Sequence, residues 1–254
     1  MKIDNQAAIV TGGGSGLGEA VARALATAGA KVAVLDVNAD GAKRVAADTG
    51  GIGLACDITD SASLAAALDA AQAAHGPARI VMNIAGIGSA KRIVGKDGQP
   101  APLEDFERVI RINLIGTYNV TRLAAARIAA LPELDDGERG VVVNTASVAA
   151  FDGQVGQEAY SASKGGVVGM TLPLARDLAQ HGIRVCTIAP GLFATPLMKQ
   201  LPEAVQQSLA ASIPFPRRLG RPEEFAALAL HIVGNGHLNG EVIRLDGALR
   251  MAPR

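Results

Sequence analysis

Seven short apolar runs recur along the chain: AAIVTG, KVAVLD, IGLACD, RIVMNIAG, GVVVNTAS, IRVCTIAP and EVIRLDG. A strand exposed on one face alternates apolar and polar residues, whereas one buried on both faces reads as a continuous apolar run. Between these runs lie alanine-rich segments with helical spacing, such as GLGEAVARALATAGA and SASLAAALDAAQAAHG, often closed by glycine. Such alternation specifies a doubly wound parallel sheet of about seven strands with helices on both faces. The rhythm never pauses long enough for a linker, so residues 1–254 read as one domain. Two stretches break it: a polar loop at Lys91–Pro102 (KRIVGKDGQPAP) and a proline-punctuated segment at Thr195–Pro222, read as part of a lid over about residues 191–222. Both follow the carboxyl ends of strands, where open α/β sheets bind ligands.

Charge narrows the choice of partner. Lysine plus arginine (24) equals aspartate plus glutamate (24), so no net field draws nucleic acid or an anionic membrane. No run approaches the roughly 18 apolar residues a membrane span needs. MKIDNQAAIVTGGG enters a strand almost at once, without a separate signal region. Cys56 and Cys186 lie in apolar runs without a C-x-x-C partner, which predicts buried free thiols and no metal. These features predict a cytoplasmic protein.

The first strand–helix junction, TGGGSGLG, places Gly12, Gly16 and Gly18 where a backbone must approach a pyrophosphate and helix N–H groups must point at it. Asp36 ends the second strand; a carboxylate there accepts hydrogen bonds from an adenosine ribose and repels a 2′-phosphate. No Lys or Arg follows in VNAD or sits within the loop, which favours NAD over NADP. Asp57 closes the third strand, either near the adenine or as a cap for the next turn.

One of only two tyrosines, Tyr160, stands four residues before Lys164 in a run of Ser, Ala and Gly. Four residues apart in a helix means one shared face. A phenol that titrates near pH ~10 is a poor base at neutral pH, and a neighbouring ammonium favours its ionised form. Ser147, at the end of the fifth strand, is placed to hold a substrate oxygen beside the phenol. Asn113, inside the helical pattern RVIRINLIGTYNV, predicts a local kink whose freed carbonyl binds water.

Together these residues resemble the short-chain dehydrogenase/reductase family over essentially the whole chain. TGGGSGLG is similar to its T-G-x-x-x-G-x-G loop, MNIAG (Asn83, Ile84, Ala85, Gly86) to its N-N-A-G, and IAPG (with Pro190 and Gly191) to its sixth-strand P-G motif; Ile84 departs from the usual second Asn. Asn113, Ser147, Tyr160 and Lys164 match its catalytic tetrad. Longer stretches, NTASVAAFDGQVGQEAYSASKGGVVGMTLPLARDL and NGEVIRLDGALRM among them, resemble its 3-hydroxyacyl-CoA dehydrogenase branch. The resemblance implies a Rossmann sheet, a homotetramer, NAD(H), and reversible oxidation of a 3-hydroxyacyl-CoA. It also implies cofactor contacts from Ser15, Leu17, Asp36, Asp57, Ile58, Ile84, Tyr160, Lys164, Phe193 and Thr195.

On the substrate side, Gln154 and Gln157 are candidates for the acyl pocket, Phe193, Leu197, Leu201 and Leu209 for an apolar lid, and Lys91, Arg92 and Lys96 for CoA phosphates. Three other readings remain open: an NADPH-dependent 3-oxoacyl carrier-protein reductase, a steroid or secondary-alcohol dehydrogenase, and a dinucleotide-binding scaffold for a protein or RNA. Asp36 opposes the first, and an apolar pocket discriminates weakly enough to admit the second. An intact Ser–Tyr–Lys set opposes the third.

Overall fold

A computed structural model describes residues 1–253, the side chains of Leu197 and Lys199 excepted. All seven apolar runs are strands: β1 (Ala7–Thr11), β2 (Lys31–Asp36), β3 (Ile52–Ala55), β4 (Ala78–Asn83), β5 (Gly140–Thr145), β6 (Ile183–Pro190) and β7 (Val242–Leu245). They form one parallel sheet in the order β3-β2-β1-β4-β5-β6-β7. The chain winds outwards from β1 to β3, then returns to place β4 on the other side of β1. That reversal opens a crevice at the carboxyl ends of β1 and β4.

Alternate residues of one strand serve opposite layers, as the two-residue period requires. Val10 of β1 packs with α1 (Gly16–Thr27), α2 (Ala39–Thr49) and α9 (Pro222–Gly234) through Val21, Leu25, Val45, Phe225 and Ile232. Its neighbour Ile9 packs with α3 (Ser61–His75), α5 (Thr117–Ala129) and α6 (Glu158–Ala179) through Leu64, Leu68, Val120, Ile128 and Ala175. β1, β5 and β6 are buried along their whole length, whereas the edge strand β7 is half-buried throughout. This is why the central strands carry no polar alternation.

Several helix ends are written in the sequence. Asn38 caps α2 by accepting from the Gly41 N–H, and Asp60 caps α3 by accepting from the Ala62 N–H. Ser15 caps α1 with no such side-chain bond, which leaves that helix start available to a ligand. The segment after β6 holds α7 (Pro196–Lys199) and α8 (Glu203–Ala211), and the polar loop at 91–102 carries only an isolated bridge between Val94 and Pro100. Among the described residues, no helix is long and apolar enough to cross a membrane.

Leu68 is 1% exposed, at the centre of the second layer. Leu68→Ala is expected to cost about 2–5 kcal/mol, because the cavity cannot fully collapse between a helix and a sheet. Urea titration checks this: the midpoint should fall with the slope unchanged.

Candidate active site

A cleft of ≈ 670 Å³ runs along the carboxyl ends of the strands. Of the residues singled out from sequence, Gly12, Ser15, Gly16, Leu17, Gly18, Asp36, Asp57, Ile58, Ile84, Ala85, Gly86, Pro190, Gly191, Phe193 and Thr195 line it, together with Ser147, Tyr160 and Lys164. Asn83, Asn113, Gln154 and Gln157 do not.

At one end the glycine loop is shaped by contacts no side chain would permit. Gly12 has φ +65°, and a Cβ there would stand 2.7 Å from the backbone of Ala85. A Cβ on Gly18 would stand 2.0 Å from the Gly12 carbonyl, so α1 presses directly on the turn. The Asp36 carboxylate accepts from the Gly14 N–H and the Asn38 N–H, both at 2.9 Å. These two bonds fix its direction and leave lone pairs for ribose hydroxyls. Asp57 accepts from the N–H and the hydroxyl of Thr59, each at 2.8 Å, while lining the cleft; it serves as a turn cap in either case. A backbone cradle, an open helix start and an aimed carboxylate fit a dinucleotide.

At the other end, Tyr160 and Lys164 share one face of α6. Lys164 is 4% exposed, its Nζ donates to the Thr145 carbonyl at 2.8 Å, and it stands 5.9 Å from the centre of the Tyr160 ring. Burial lowers the Lys164 ammonium to about 8. Burial also raises the Tyr160 phenol, against a smaller opposing effect from its hydrogen bond with Ser147. The expected lowering of the phenol by its lysine is therefore absent in the protein alone: burial dominates, and what opposes it comes from Ser147. Ser147 Oγ accepts from the Ala149 N–H at 3.1 Å, so its own proton is free for the phenol or a substrate oxygen.

The structure gives Asn113 more work than a kink. It sits in a π-helical turn, Arg111–Gly116, between α4 (Leu103–Ile110) and α5. Such turns cluster at functional sites. Its amide accepts from the Ile87 N–H (2.8 Å), donates to the Ile87 carbonyl (2.9 Å) and donates to Ser163 Oγ (3.1 Å). Ser163 in turn donates to the Tyr160 carbonyl at 2.7 Å. Asn113 thus fastens the loop after β4 to α6, while its own carbonyl accepts the Thr117 hydroxyl at 2.7 Å.

Asn83, expected at the cofactor, lies behind the cleft and donates to Asn144 Oδ1 (2.8 Å) and Thr121 Oγ1 (3.0 Å), tying β4 to β5 and α5. Gln154 donates to the Ala252 carbonyl and Gln157 accepts from the Gln154 N–H, so both amides are engaged with the chain itself. Neither side chain lines the cleft in the protein alone. Leu201 and Leu209 stay off the cleft, and the Leu197 side chain lies outside the described residues. Met198 and Leu192 line it instead, beside Phe193, which is 6% exposed and stacked edge-on with Phe225. Lys91 is paired with Asp105, whereas Arg108 and Arg111, not singled out from sequence, reach the cleft wall from α4 and its π turn. Cys56 lines the cleft, but burial raises its thiol to about 11 and keeps it protonated. Arg44, also unforeseen, donates to the Gly14 carbonyl at 3.0 Å.

Comparison with known proteins agrees with this geometry. The family model for short chain dehydrogenase matches residues 6–206. The chain belongs to the short-chain dehydrogenase family. It is 52% identical to the 3-hydroxyacyl-CoA dehydrogenase type-2 of Drosophila melanogaster, over 99% of this chain and 100% of that one. The crystal structure of 3-hydroxyacyl-CoA dehydrogenase type-2 from Mycobacterium avium superposes with a TM-score of 0.95 at 46% identity, covering 98% of each chain. A 3-ketoacyl-(acyl-carrier-protein) reductase from Brucella melitensis, solved with NADH, gives 0.85 at 30% identity, covering 98% of this chain and 100% of that one. The protein is an oxidoreductase, and its cofactor is a nicotinamide dinucleotide.

Gly86 bridges the two ends of the site. A Cβ there would stand 3.0 Å from Asn113 Oδ1 and 3.4 Å from Lys164 Nζ. Gly86→Ala is expected to weaken NADH binding about tenfold, or about 1.4 kcal/mol, by displacing the loop over Lys164. Fluorescence titration reads the affinity, and an unchanged far-ultraviolet circular dichroism spectrum would show that the fold survives.

Proposed function

We propose that this protein reversibly oxidises a 3-hydroxyacyl-CoA to the 3-ketoacyl-CoA, with NAD(H) as the cofactor. The observation that carries this reading is the pairing of Ser147, Tyr160 and Lys164 at one end of the cleft with the aimed Asp36 carboxylate at the other. The substrate class draws support from the relatives named above. Gly12, Ser15, Gly16, Leu17, Gly18, Ile84, Ala85 and Thr195 would hold the pyrophosphate and central part of the dinucleotide, Asp36, Asp57 and Ile58 its adenosine, and Pro190, Gly191 and Phe193 the nicotinamide.

In the oxidative direction Ser147 donates to the substrate hydroxyl oxygen and holds it against Tyr160. Tyr160 Oη takes the hydroxyl proton as a general base. The bound nicotinamide supplies the hydride acceptor for the carbon. Lys164, protonated at neutral pH since it titrates at about 8, supplies the positive charge that favours the phenolate. Asn113 keeps the β4 loop and α6 in register, and the lone pair of its backbone carbonyl not taken by the Thr117 hydroxyl is the proposed anchor for a water that carries the proton outwards. Reduction runs the same proton path in reverse. The apolar wall of Leu192, Phe193 and Met198 suits a short acyl chain, and Arg108 and Arg111 are better placed than the paired Lys91 to meet an anionic headgroup.

The homotetramer remains part of this proposal, supported by the exposed apolar side chains of Leu103, Phe106, Ile115 and Tyr118 along α4, the π turn and the start of α5. A reducing, cytoplasmic setting accords with two free, buried cysteines.

The test is oxidation of NADH against NADPH by the purified protein with acetoacetyl-CoA. Turnover with NADH and little with NADPH is expected; turnover only with NADPH would promote the carrier-protein reductase reading. Tyr160→Phe should still bind NADH while losing about 10²–10⁴-fold in kcat. Normal turnover by that variant would remove Tyr160 from the mechanism.

A further inference from the structure

Reading the sequence for a cation near the adenosine ribose finds none beside Asp36, yet the fold brings one there from α2. Arg44 NH2 donates to the Gly14 carbonyl at 3.0 Å, and the N–H of the same glycine donates to Asp36 Oδ2 at 2.9 Å. One residue of backbone therefore separates the guanidinium from the carboxylate that faces the ribose. α2 packs against the glycine loop without slack. A Cβ on Gly41, in the first turn of α2, would stand 3.1 Å from the Gly14 carbonyl, so the root of Arg44 is held close to the loop.

Arg44 nevertheless does not line the cleft. Glu19, in the first turn of α1, takes it up with both oxygens, at 2.9 Å to NH1 and 2.7 Å to NH2. Glu19 is itself fixed by Arg23, at 3.0 and 2.8 Å, and Arg23 reaches on to Asp48 at 2.6 Å. Arg44, and after it Arg23, hold the Glu19 carboxyl down to about 2, so it is ionised across the neutral range. The Arg44 side chain is 52% exposed, so apart from its one bond to the Gly14 carbonyl, this clasp is what keeps it from swinging towards the ribose.

We infer that Glu19 and Arg44 are specificity-determining residues: Glu19 clasps on the back of the glycine loop a guanidinium that would otherwise reach a ribose 2′-phosphate. This rests on the NAD(H) reading above. A carboxylate at the end of β2 selects a free 2′-hydroxyl, whereas an arginine nearby accommodates the phosphate. Two carboxylates thus act on one choice, Asp36 by direct repulsion and Glu19 by neutralising the nearby cation. A planar guanidinium matches phosphate with paired donors, so its release changes the preference rather than only the local charge.

The test uses the fluorescence of NADH and NADPH themselves, read in a protein without tryptophan. Affinities are measured for Asp36→Asn, for Asp36→Asn with Glu19→Gln, and for those two with Arg44→Met. Asp36→Asn should weaken NADH and narrow the preference. Adding Glu19→Gln should tighten NADPH about tenfold while NADH stays within about twofold, and adding Arg44→Met should erase that gain. An unchanged NADPH affinity on adding Glu19→Gln, equal weakening of both nucleotides, or a gain that survives Arg44→Met would each overturn the clasp. If Asp36→Asn leaves the preference for NADH as it was, the NAD(H) reading of Asp36 fails first and takes the clasp with it. If that variant narrows the preference and Glu19→Gln adds nothing, the clasp alone fails.

Discussion

Lys164 keeps an ammonium where the chain exposes only 4% of the residue, and the hydrogen bond it makes among the described residues is to a single backbone carbonyl, that of Thr145. A buried charge is costly unless something fixed compensates it. Here the compensation is partial, which is why the group titrates at about 8. The same burial raises the Tyr160 phenol. Without a ligand, the pair is therefore a neutral phenol beside a weakened ammonium. In the proposed oxidation, the positive nicotinamide of an oxidised dinucleotide would supply a second charge that favours the phenolate. On that proposal the pair would act as acid and base only with the cofactor bound.

The rest of the fold serves to hold that pair in place. Thr145 ends β5, so the carbonyl that receives Lys164 has its position set by a strand buried along its whole length. Asn113 couples the β4 loop to α6 through Ile87 and Ser163, and Gly86 carries that loop across both Asn113 and Lys164 without a Cβ in the way. Asn83 secures β4 to β5 from behind. At the far end of the cleft, Gly14 is held by Asp36 through its N–H and by Arg44 through its carbonyl. The dinucleotide cradle and the catalytic pair are thus set by separate hydrogen-bond groups on one rigid sheet.

The layers of this fold were legible because burial on both faces writes itself as unbroken apolar runs, and all seven became strands. The glycine loop was legible for a similar reason: a Cβ at Gly12 or Gly18 has no space. Side-chain direction was not. Asn83 is the last residue of β4 and is buried with its amide on Asn144 and Thr121, whereas Ile84 and Ala85 lie past the strand end in the loop that lines the cleft, and no local pattern marks where the strand stops. Gln154 and Gln157 lie near Ser147 in sequence, but Gln154 donates to the distant Ala252 carbonyl and Gln157 accepts from the Gln154 backbone N–H, contacts that spacing does not reveal. Arg44 was missed for the opposite reason, since it comes to the loop from another helix. The rise of the Tyr160 phenol was hidden as well, because residue types reveal a neighbouring charge but not how deeply the group is buried.

The most direct measurement is the ionisation of Tyr160, followed by tyrosinate absorbance after rapid pH jumps. The chain has two tyrosines and no tryptophan, so Tyr118→Phe leaves Tyr160 as the one phenol observed. In the free protein its midpoint should lie above the ordinary ~10 of a phenol, because burial disfavours the charged form. With oxidised dinucleotide bound it should fall by roughly a unit or more, and Lys164→Met should reduce that fall. A midpoint that is the same with and without the dinucleotide would contradict the account, and would mean that Tyr160 is not the base whose charge the cofactor and Lys164 control.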